Sequence, residues 1–253
     1  MLVGLRSSLY FLVLTVTTVV FAVPLSIFGW FLPFSVLGRA GRLWGRINLE
    51  ALRLICGLRY RVHGRTGLPD EPCIVLCKHQ SAWETIALRA LLPPNHTWVV
   101  KRELLWTPFF GWAMAVYRPI AIDRSAGRKA VRQLLQEGRR WLETGRWVVI
   151  FPEGTRVAPG ERRKYGIGGA LLAEKSGYPV LPVAHNAGVF WRRRDLRKYP
   201  GVVDLVFGEP FPSKGLSAAE INRRAEAWIE TCVAELPQTR RSATGDHLRQ
   251  GQE

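Results

Sequence analysis

The stretch Cys73-Ile-Val-Leu-Cys-Lys-His-Gln-Ser-Ala-Trp-Glu-Thr85 joins a short apolar run to a polar turn and then to a helical pattern. Residues 73–77 are apolar, include β-branched side chains and have the length of a buried strand. From Ser81 to Leu92 the apolar residues recur at helical spacing. A strand followed directly by a helix is the repeating unit of α/β domains, so this stretch predicts that fold class.

The same alternation continues along the chain. The apolar runs predict further strands at residues 97–100, 147–151, 180–184 and 202–207, and the periodic segments predict helices at 127–144, 168–176 and 218–236. Strands that alternate with helices predict one α/β domain with a mostly parallel central sheet flanked by helices. We assign this domain to residues 39–236 and expect a disordered polar tail at 237–253.

The N-terminal residues 1–38 form an apolar segment with no charged residue from position 7 onward. Such a run is typical of a membrane-anchoring segment. Pro24 and Pro33 divide it, and residues 9–23 alone would rise only about 22 Å as a helix, short of the roughly 30 Å hydrocarbon core. A pair of short helices that dips into one leaflet and a single kinked span therefore both fit.

A cleavable signal peptide is the main alternative for this segment, because Arg6 precedes the apolar run and Val20 and Ala22 suit a cleavage site. The run continues well past that point to Leu37, which a removed signal would not need. Residues 39–65 then hold seven arginines and one glutamate. This excess predicts that the end of the segment lies on the cytoplasmic side of a membrane.

The composition narrows the class of partner. Lys and Arg number 36 against 20 Asp and Glu, a formal net charge of +16, which favours anionic lipid, an acidic carrier protein or nucleic acid over neutral partners. The ten Trp and eleven Phe residues are also typical of proteins at a bilayer interface. The four cysteines are few and irregularly spaced, which argues against a disulfide framework and for a reducing compartment.

Two residues after the first predicted strand are candidates for catalysis. His79 lies at the carboxyl end of the strand, where open α/β sheets place their sites. The carboxylate of Glu84 can reach back to one ring nitrogen, so the pair suits a general base whose tautomer is fixed. Ser81-Ala-Trp-Glu84 also fits a capping box, and for Glu84 the two interpretations weigh equally. Taken alone, His79 is an ordinary loop histidine.

The spacing of the cysteines near His79 argues against a metal site. Cys73 and Cys77 would lie about 13 Å apart on a strand, too far to share one zinc ion. We therefore expect both cysteines in the core and no metal at this site.

The second candidate site is Phe151-Pro-Glu-Gly-Thr-Arg156, which closes the predicted strand at 147–151. Its glycine lets a ligand approach the backbone closely, and its threonine can donate a hydrogen bond. Its arginine can donate two parallel hydrogen bonds to a phosphate. Taken alone, the stretch is more often a strand-ending turn with surface charges. Lys101 and Arg124 are further possible phosphate ligands, and each alone is also typical of a solvated surface charge.

Four blocks together resemble the 1-acylglycerol-3-phosphate acyltransferase (lysophosphatidic acid acyltransferase) family. The family's His-x4-Asp motif corresponds to His79 and Glu84, with glutamate one methylene longer than the usual aspartate. The other blocks are Lys101-Arg-Glu-Leu-Leu-Trp-Thr-Pro-Phe-Phe-Gly111 running on to Ile122-Asp-Arg124, then Phe151-Pro-Glu-Gly-Thr-Arg156, and Tyr178-Pro-Val-Leu-Pro-Val183.

The resemblance implies direct, metal-independent acyl transfer from a thioester, acyl-CoA or acyl-carrier protein, to the free hydroxyl of a lysophospholipid, without a cofactor. It implies that His79 is the base and Glu84 its orienting acid. The acceptor phosphate would be held by Lys101, Arg124, Glu153, Gly154, Thr155 and Arg156. It also implies a glycerol-3-phosphate acyltransferase-like domain behind a membrane-embedded helix pair, with the active site on the cytoplasmic face of a bacterial cytoplasmic (inner) membrane.

Other functions fit less of the sequence. Acylation of another lysolipid, such as lyso-ornithine lipid, keeps the first and third blocks. A non-catalytic binding protein for anionic lipid explains the charge but not the ordered motifs. Nucleic acid is not expected as a partner, because no recognition helix, zinc finger or stacking sheet accompanies the charge. A serine hydrolase would need a Gly-x-Ser-x-Gly elbow, which the sequence lacks.

Overall fold

The computed structural model describes residues 1–240, so residues 241–253 of the expected polar tail lie outside the described part of the chain. Within residues 1–240, seven strands form one sheet with helices on both faces. The strands are β1 Leu58–His63, β2 Ile74–Cys77, β3 His96–Lys101, β4 Ile120–Ile122, β5 Trp147–Ile150, β6 Val180–His185 and β7 Gly201–Phe207. The helices are α1 Leu2–Phe28, α2 Phe34–Ala51, α3 Trp83–Leu91, α4 Phe110–Val116, α5 Arg128–Glu143, α6 Gly168–Ser176, α7 Ala187–Phe190 and α8 Ala218–Glu235.

The sheet confirms the predicted fold class. Its strand order is β1-β7-β6-β2-β5-β3-β4, and the neighbours pair in parallel except for the antiparallel pair of β6 and β7. Strands β2 to β6 therefore all point the same way. Because their carboxyl ends meet at one edge, loops that are distant in sequence come together there.

Two apolar cores lie on opposite faces of the sheet. The first contains Leu49 and Trp83, and the helices α1, α2 and α3 cover it. The second contains Leu134, Leu172 and Ile229 from α5, α6 and α8. Strands covered on both faces read as continuous apolar runs, which is why β2 and β5 were predictable from sequence.

The strands β1 and β4 were not predicted. In β1, the apolar residues Leu58 and Val62 alternate with polar ones, the pattern of a half-buried edge strand. We interpreted its arginines only as membrane-flanking charges. In the structure Arg61 and His63 both contact Asp204 on β7, at 3.1 Å and 2.9 Å. The three-residue strand β4 is too short for its pattern to be read.

The prediction that Pro24 divides the N-terminal segment is wrong. Helix α1 is 27 residues long and runs through Pro24, and Pro33 is the proline that separates it from α2. A helix of that length rises about 40 Å, enough to cross a hydrocarbon core. Among the described residues, Leu2–Phe31 is the one stretch long and apolar enough to cross a membrane, with a mean hydropathy of 2.4. The boundary proposed at residue 38 falls inside the continuous helix α2.

Candidate active site

The strand order brings the two candidate motifs side by side. Strands β2 and β5 are neighbours, and His79 and Glu153 follow their carboxyl ends. The backbone N–H of His79 donates to Glu153 Oε2 at 2.7 Å, and its carbonyl accepts from the N–H of Val157 at 2.8 Å. The loop of His79 and the turn at 151–156 therefore form one structural unit.

His79 and Glu84 contact each other directly. The ring nitrogen Nδ1 of His79 lies 2.7 Å from Glu84 Oε1. The side chain of Glu84 is fully buried, and that of His79 is 15% exposed. A carboxylate held at Nδ1 favours the proton on that nitrogen and leaves the lone pair on Nε2. The pair therefore has the geometry that a general base requires.

Glu84 also binds the backbone at the start of α3. Its carboxylate accepts the N–H groups of Ser81, at 2.8 Å and 3.1 Å, and of Gln80, at 3.0 Å. A complete capping box would also have the Ser81 hydroxyl accept from the N–H of Glu84. In this turn the hydroxyl accepts from the N–H of Trp83 instead. Glu84 therefore both orients the His79 ring and stabilises the start of α3, because the same carboxylate contacts the ring and the backbone.

Glu84 is ionised in this environment. Burial works to raise the pKa of its carboxyl, but the neighbouring His185 and His79 rings and the backbone N–H groups outweigh burial and hold the pKa below its usual value. The carboxylate is therefore available to stabilise a protonated His79 ring.

His185 is a second histidine near the pair, and the sequence analysis did not identify it. It ends β6, is fully buried, and its Nε2 lies 3.8 Å from Glu84 Oε2. Its Nε2 contacts the carbonyl of Lys78 at 2.9 Å, and its Nδ1 accepts from the N–H of Ala187 at 3.2 Å. Burial lowers the pKa of His185, which matches a neutral ring with Nε2 as donor.

The ring of His79 is held between Glu84 and an aromatic side chain. The Phe151 ring stacks on it at a centroid distance of 4.1 Å and an angle of 18°. Trp98 lies behind Phe151 at 5.7 Å. Phe151 was predicted as the last residue of a strand, and its place as the first residue of the motif at 151–156 was the only sign of this role.

His79 lines a cavity of about 310 Å³ that is mostly apolar. Its lining is partly basic, with Lys101, Arg124 and Arg156 and also Arg89. The other lining residues are largely apolar and include Phe21 and Leu25 of α1, Trp44 of α2, and Phe110, Ala113 and Met114 of α4. The cavity can therefore hold a charged group and a hydrocarbon chain beside the same histidine.

The six residues predicted to hold the acceptor phosphate occupy different positions. Lys101, Arg124 and Arg156 line the cavity. Gly154 has φ +70°, a conformation that favours glycine, and its carbonyl accepts from the Arg124 guanidinium. Thr155 is half-buried between Gly154 and Arg156.

The sixth, Glu153, does not line the cavity. Its buried carboxylate contacts Lys78 Nζ at 2.7 Å as well as the N–H of His79. Burial raises its pKa, although Lys78 and the His79 N–H oppose this effect. Glu153 therefore stabilises the loop of His79 through its hydrogen bond with the backbone.

Lys78 extends this support to helix α8. Its fully buried ammonium lies 2.7 Å from Glu153 Oε1 and 2.7 Å from Glu230 Oε1, and the Tyr165 hydroxyl donates to the same Glu230 oxygen at 2.8 Å. The sequence carried no sign of this network, because Glu230 lies 152 positions from Lys78 on an amphipathic helix.

The described residues contain no group of three or more His, Cys, Asp or Glu side chains that could hold a metal ion. Cys73 and Cys77 are both fully buried in the core. Burial also raises the pKa of both thiols well above the usual value. Their position agrees with the core assignment made from the spacing.

Comparisons with known proteins identify the family. A sequence model of the acyltransferase family matches residues 59–186. The 1-acyl-sn-glycerol-3-phosphate acyltransferase of Pseudomonas aeruginosa is 42% identical over 237 residues, covering 92% of each chain. The enzyme of the same name from Cocos nucifera is 26% identical and covers 93% of this chain and 76% of its own.

A solved structure agrees with the fold. The crystal structure of the 1-acyl-sn-glycerophosphate acyltransferase PlsC from Thermotoga maritima matches with a TM-score of 0.77 at 24% identity, covering 94% of this chain and 98% of that one. The chain is thus an acyltransferase, and within that class it belongs to the 1-acyl-sn-glycerol-3-phosphate acyltransferase family. The resemblance drawn from the four motifs is confirmed.

Proposed function

We propose that this enzyme transfers a fatty acyl group from a thioester to the sn-2 hydroxyl of 1-acylglycerol-3-phosphate and so forms phosphatidic acid. The observation that carries the proposal is the contact of His79 with Glu84, where His79 lines a cavity that has both basic and apolar side chains in its wall. The names of the relatives agree with this acceptor.

The chemistry needs one base and no redox step. His79 Nε2 takes the proton from the acceptor hydroxyl as its oxygen attacks the thioester carbonyl, and Glu84 stabilises the imidazolium that forms. When the tetrahedral intermediate collapses, the C–S bond breaks and the thiolate leaves with the proton from His79. A thioester is already activated, so we propose that no metal or other cofactor takes part. Acyl-CoA and acyl-carrier protein are both suitable donors.

The basic wall accounts for the choice of acceptor. Guanidinium and ammonium groups bind phosphate through charge-assisted hydrogen bonds, and Arg adds a planar two-pronged geometry. We propose that Lys101, Arg124 and Arg156 bind the acceptor phosphate. Gly154 and Thr155 complete the turn around it, and Glu153 supports the turn from below.

The apolar wall and α1 support a reaction at a membrane. Many large apolar side chains of α1 are exposed, including Phe11, Ile27 and Phe28, which is expected when a helix faces lipid rather than water. With the arginines of 39–65 on the cytoplasmic side, we propose that the enzyme resides in the bacterial cytoplasmic membrane with its active site on the cytoplasmic face. The positive charge then serves anionic lipid and substrates, and nucleic acid is not a partner.

The test is acyl transfer by detergent-purified protein from a labelled thioester, with lysophosphatidic acid, lyso-ornithine lipid and lysophosphatidylcholine as parallel acceptors. We expect phosphatidic acid to form fastest. Product from lyso-ornithine lipid alone would retain the acyl transfer and overturn the phosphate site. No product from any acceptor, with either donor type, would overturn the enzymatic function and favour an anionic-lipid-binding protein.

The basic wall is tested with Arg156→Ala and a matched exposed arginine, Arg139, which pairs with Glu143 on α5. Arg156→Ala should raise KM for lysophosphatidic acid about tenfold or more, since a charge-assisted contact contributes on the order of 1.5–3 kcal/mol. Arg139→Ala should leave KM unchanged. Equal KM values for the two variants would contradict a role of Arg156 in phosphate binding.

A further inference from the structure

The segment Leu104–Trp112, between β3 and the first turn of α4, exposes a run of large apolar side chains. Trp106 is 72% exposed and Trp112 is 50% exposed, and Leu104, Phe109 and Phe110 are each at least 39% exposed. Five such side chains within nine residues form an apolar surface, which we call the aromatic segment. Contiguous exposed apolar surface marks a site that contacts a partner or a membrane.

The aromatic segment adjoins the carboxyl end of the membrane helix. Gly29 packs so closely on α4 that a Cβ atom placed there would lie 2.5 Å from Cγ1 of Val116. The residues next to Gly29 are themselves exposed and apolar, and Phe31 is 86% exposed. Helices α1 and α4 also pack along each other, and Leu104 and Phe110 border the same cavity as Phe21 and Leu25 of α1, so the aromatic segment is continuous with the apolar surface of α1.

The cavity of the active site lies between these two surfaces. Leu104 and Phe110 of the aromatic segment line it, as do Phe21 and Leu25 of α1, and the same cavity contains His79. A lipid whose chains lie against both surfaces would be next to the cavity wall.

The charges around the aromatic segment match a bilayer interface. Lys101, Arg102 and Arg118 are exposed at its two ends, and Glu103 is the one acidic residue within the range 101–118. Tryptophan and phenylalanine rings with flanking cations are typical of the level where acyl chains meet anionic head groups. A protein partner would not account for the continuity with α1, which favours lipid as the occupant.

We propose that the aromatic segment is a second membrane contact, and that with the carboxyl end of α1 it forms a lateral entrance through which the lysolipid passes from the leaflet to His79. This inference rests on the proposed function for the identity of the lipid. The acceptor and the product can then keep their hydrocarbon chains out of water throughout the reaction, which avoids a cost of about 0.8 kcal/mol for each exposed CH₂ group.

The surface contact is tested without measuring activity. A nitroxide spin label is attached at Trp106→Cys in full-length protein carrying Cys232→Ser, because Cys232 is the one cysteine that is not fully buried. The matched control is Ile167→Cys, an exposed apolar position at the start of α6, which packs against α5 and α8. The protein is placed in vesicles of phosphatidylethanolamine and phosphatidylglycerol.

At position 106 we expect the label to collide more with oxygen, which partitions into lipid, than with a water-soluble nickel complex, and at position 167 the reverse. Greater nickel than oxygen accessibility at position 106 would overturn the proposal. Low accessibility to both reagents at position 106 would also overturn it, because a protein partner or a second copy of the chain would then cover the segment.

The entrance is tested by comparing two presentations of lysophosphatidic acid. In Trp106→Ser/Trp112→Ser, transfer to a long-chain acceptor embedded in vesicles should fall about tenfold, since burial of a large apolar side chain is worth at least that factor. Transfer to a short-chain acceptor dissolved as monomers should change by less than about twofold. Neither tryptophan lines the cavity, so the chemical step is left intact. Ile167→Ser should affect neither substrate.

Equal losses with both acceptors, or no loss with the vesicle-embedded one, would overturn the entrance. If wild-type protein transfers no acyl group to any acceptor, the proposed function fails, and the spin-label comparison still decides whether the aromatic segment contacts lipid.

Discussion

At the residue scale, Glu84 joins the histidine to the fold. Its carboxylate holds Nδ1 of His79 and the backbone N–H groups of Gln80 and Ser81 at the same time. The contacts fix both the ring tautomer and the turn that carries the ring. A glutamate, one methylene longer than the family's usual aspartate, reaches the ring at 2.7 Å.

We predict that Glu84→Gln lowers kcat by about three orders of magnitude, within the range known for general-base catalysis. The amide N–H₂ of glutamine would donate to Nδ1, so the ring would carry its proton on Nε2 and could not accept one from the acceptor. KM for lysophosphatidic acid should stay nearly constant, because Glu84 does not line the cavity. Steady-state kinetics in detergent measure both constants.

Glu84→Asp is the matched control, since it keeps the charge and matches the family's usual residue. It should retain activity within about tenfold of wild type, much closer than the amide variant. If Glu84→Gln and Glu84→Asp were equally active, the carboxylate charge would have no catalytic role.

The residues of the site differed in how well they could be predicted. His79 and Glu84 lie five positions apart, so one loop and one helical turn determine their contact. Lys78 and Glu230 meet only because α8 packs against one face of the sheet, and a single sequence carries no periodic signal for such a contact. His185 directly followed the strand predicted at 180–184 and lacked a motif of its own.

At the scale of elements, the buried Lys78 joins strand β2 to helix α8 and to the turn after β5. Its ammonium lies between Glu153 and Glu230. Removing one member of a buried charge network leaves the other charges uncompensated in a poorly solvated site.

We predict that Lys78→Met lowers the free energy of unfolding by about 3–5 kcal/mol. The thermal midpoint in detergent should therefore fall by several degrees. Lys175→Met, at an exposed lysine that pairs with Glu174, should change stability by no more than about 0.5 kcal/mol. Similar midpoints for Lys78→Met and wild type would show that the network contributes little to stability.

Helix α2 approaches α3 and the loop after it through glycine. A Cβ atom at Gly38 would overlap the backbone of Pro94, with its carbonyl carbon at 2.9 Å. Helix α3 carries Glu84, so the spacing of α2 and α3 contributes to the position of the catalytic pair.

We predict that Gly38→Ala destabilises the protein by about 1–3 kcal/mol, the usual cost of overpacking a tight contact. Acyl transfer should decrease with it, because α3 must shift. Gly67→Ala is the control, since nothing lies within 4 Å of a Cβ placed there. A thermal midpoint of Gly38→Ala equal to that of Gly67→Ala would mean that the two helices separate without cost.

The central strands and the amphipathic helices α5, α6 and α8 were predictable, because continuous apolar runs and helical periodicity reflect burial directly. Strand β1 was not, since four of its six residues are exposed and its arginines suggested another role. The prediction at Pro24 was wrong because proline usually ends a helix. In the long apolar helix α1 the residues on each side of Pro24 stay helical.

At the scale of the whole molecule, α1 is both a long apolar helix and part of the active-site cavity. Its residues Thr18, Phe21, Ala22 and Leu25 line the space that reaches His79. The sequence showed α1 only as an anchor, since the contact depends on how α1 packs against α2 and α4.

Two buried histidines make stability depend on pH. Burial lowers the pKa of both His96 and His185, so each stays neutral in the folded protein below pH 6.5, where the unfolded chain takes up protons. Stability is therefore lost as the pH falls below about 6.5, by up to about 1.4 kcal/mol per pH unit for each histidine. The raised pKa of Glu153 works in the opposite direction as the pH falls.

We predict that the thermal midpoint of wild-type protein falls more between pH 7.5 and pH 5.5 than that of His96→Asn. The asparagine amide can still donate to the carbonyl of Pro93, which His96 Nδ1 contacts at 2.5 Å, but it does not titrate. The comparison cancels the contributions of Glu153 and His185. Identical pH dependence of the two proteins would contradict a neutral, buried His96.

The most direct test of the account is the rate of phosphatidic acid formation by His79→Ala and wild type, with lysophosphatidic acid and a labelled acyl thioester. We predict a loss of about 10³-fold or more in kcat, because the only proposed base is removed. The thermal midpoint and membrane association should be retained. A rate within about tenfold of wild type, too small a loss for a general base, would contradict His79 as the base and with it the proposed mechanism.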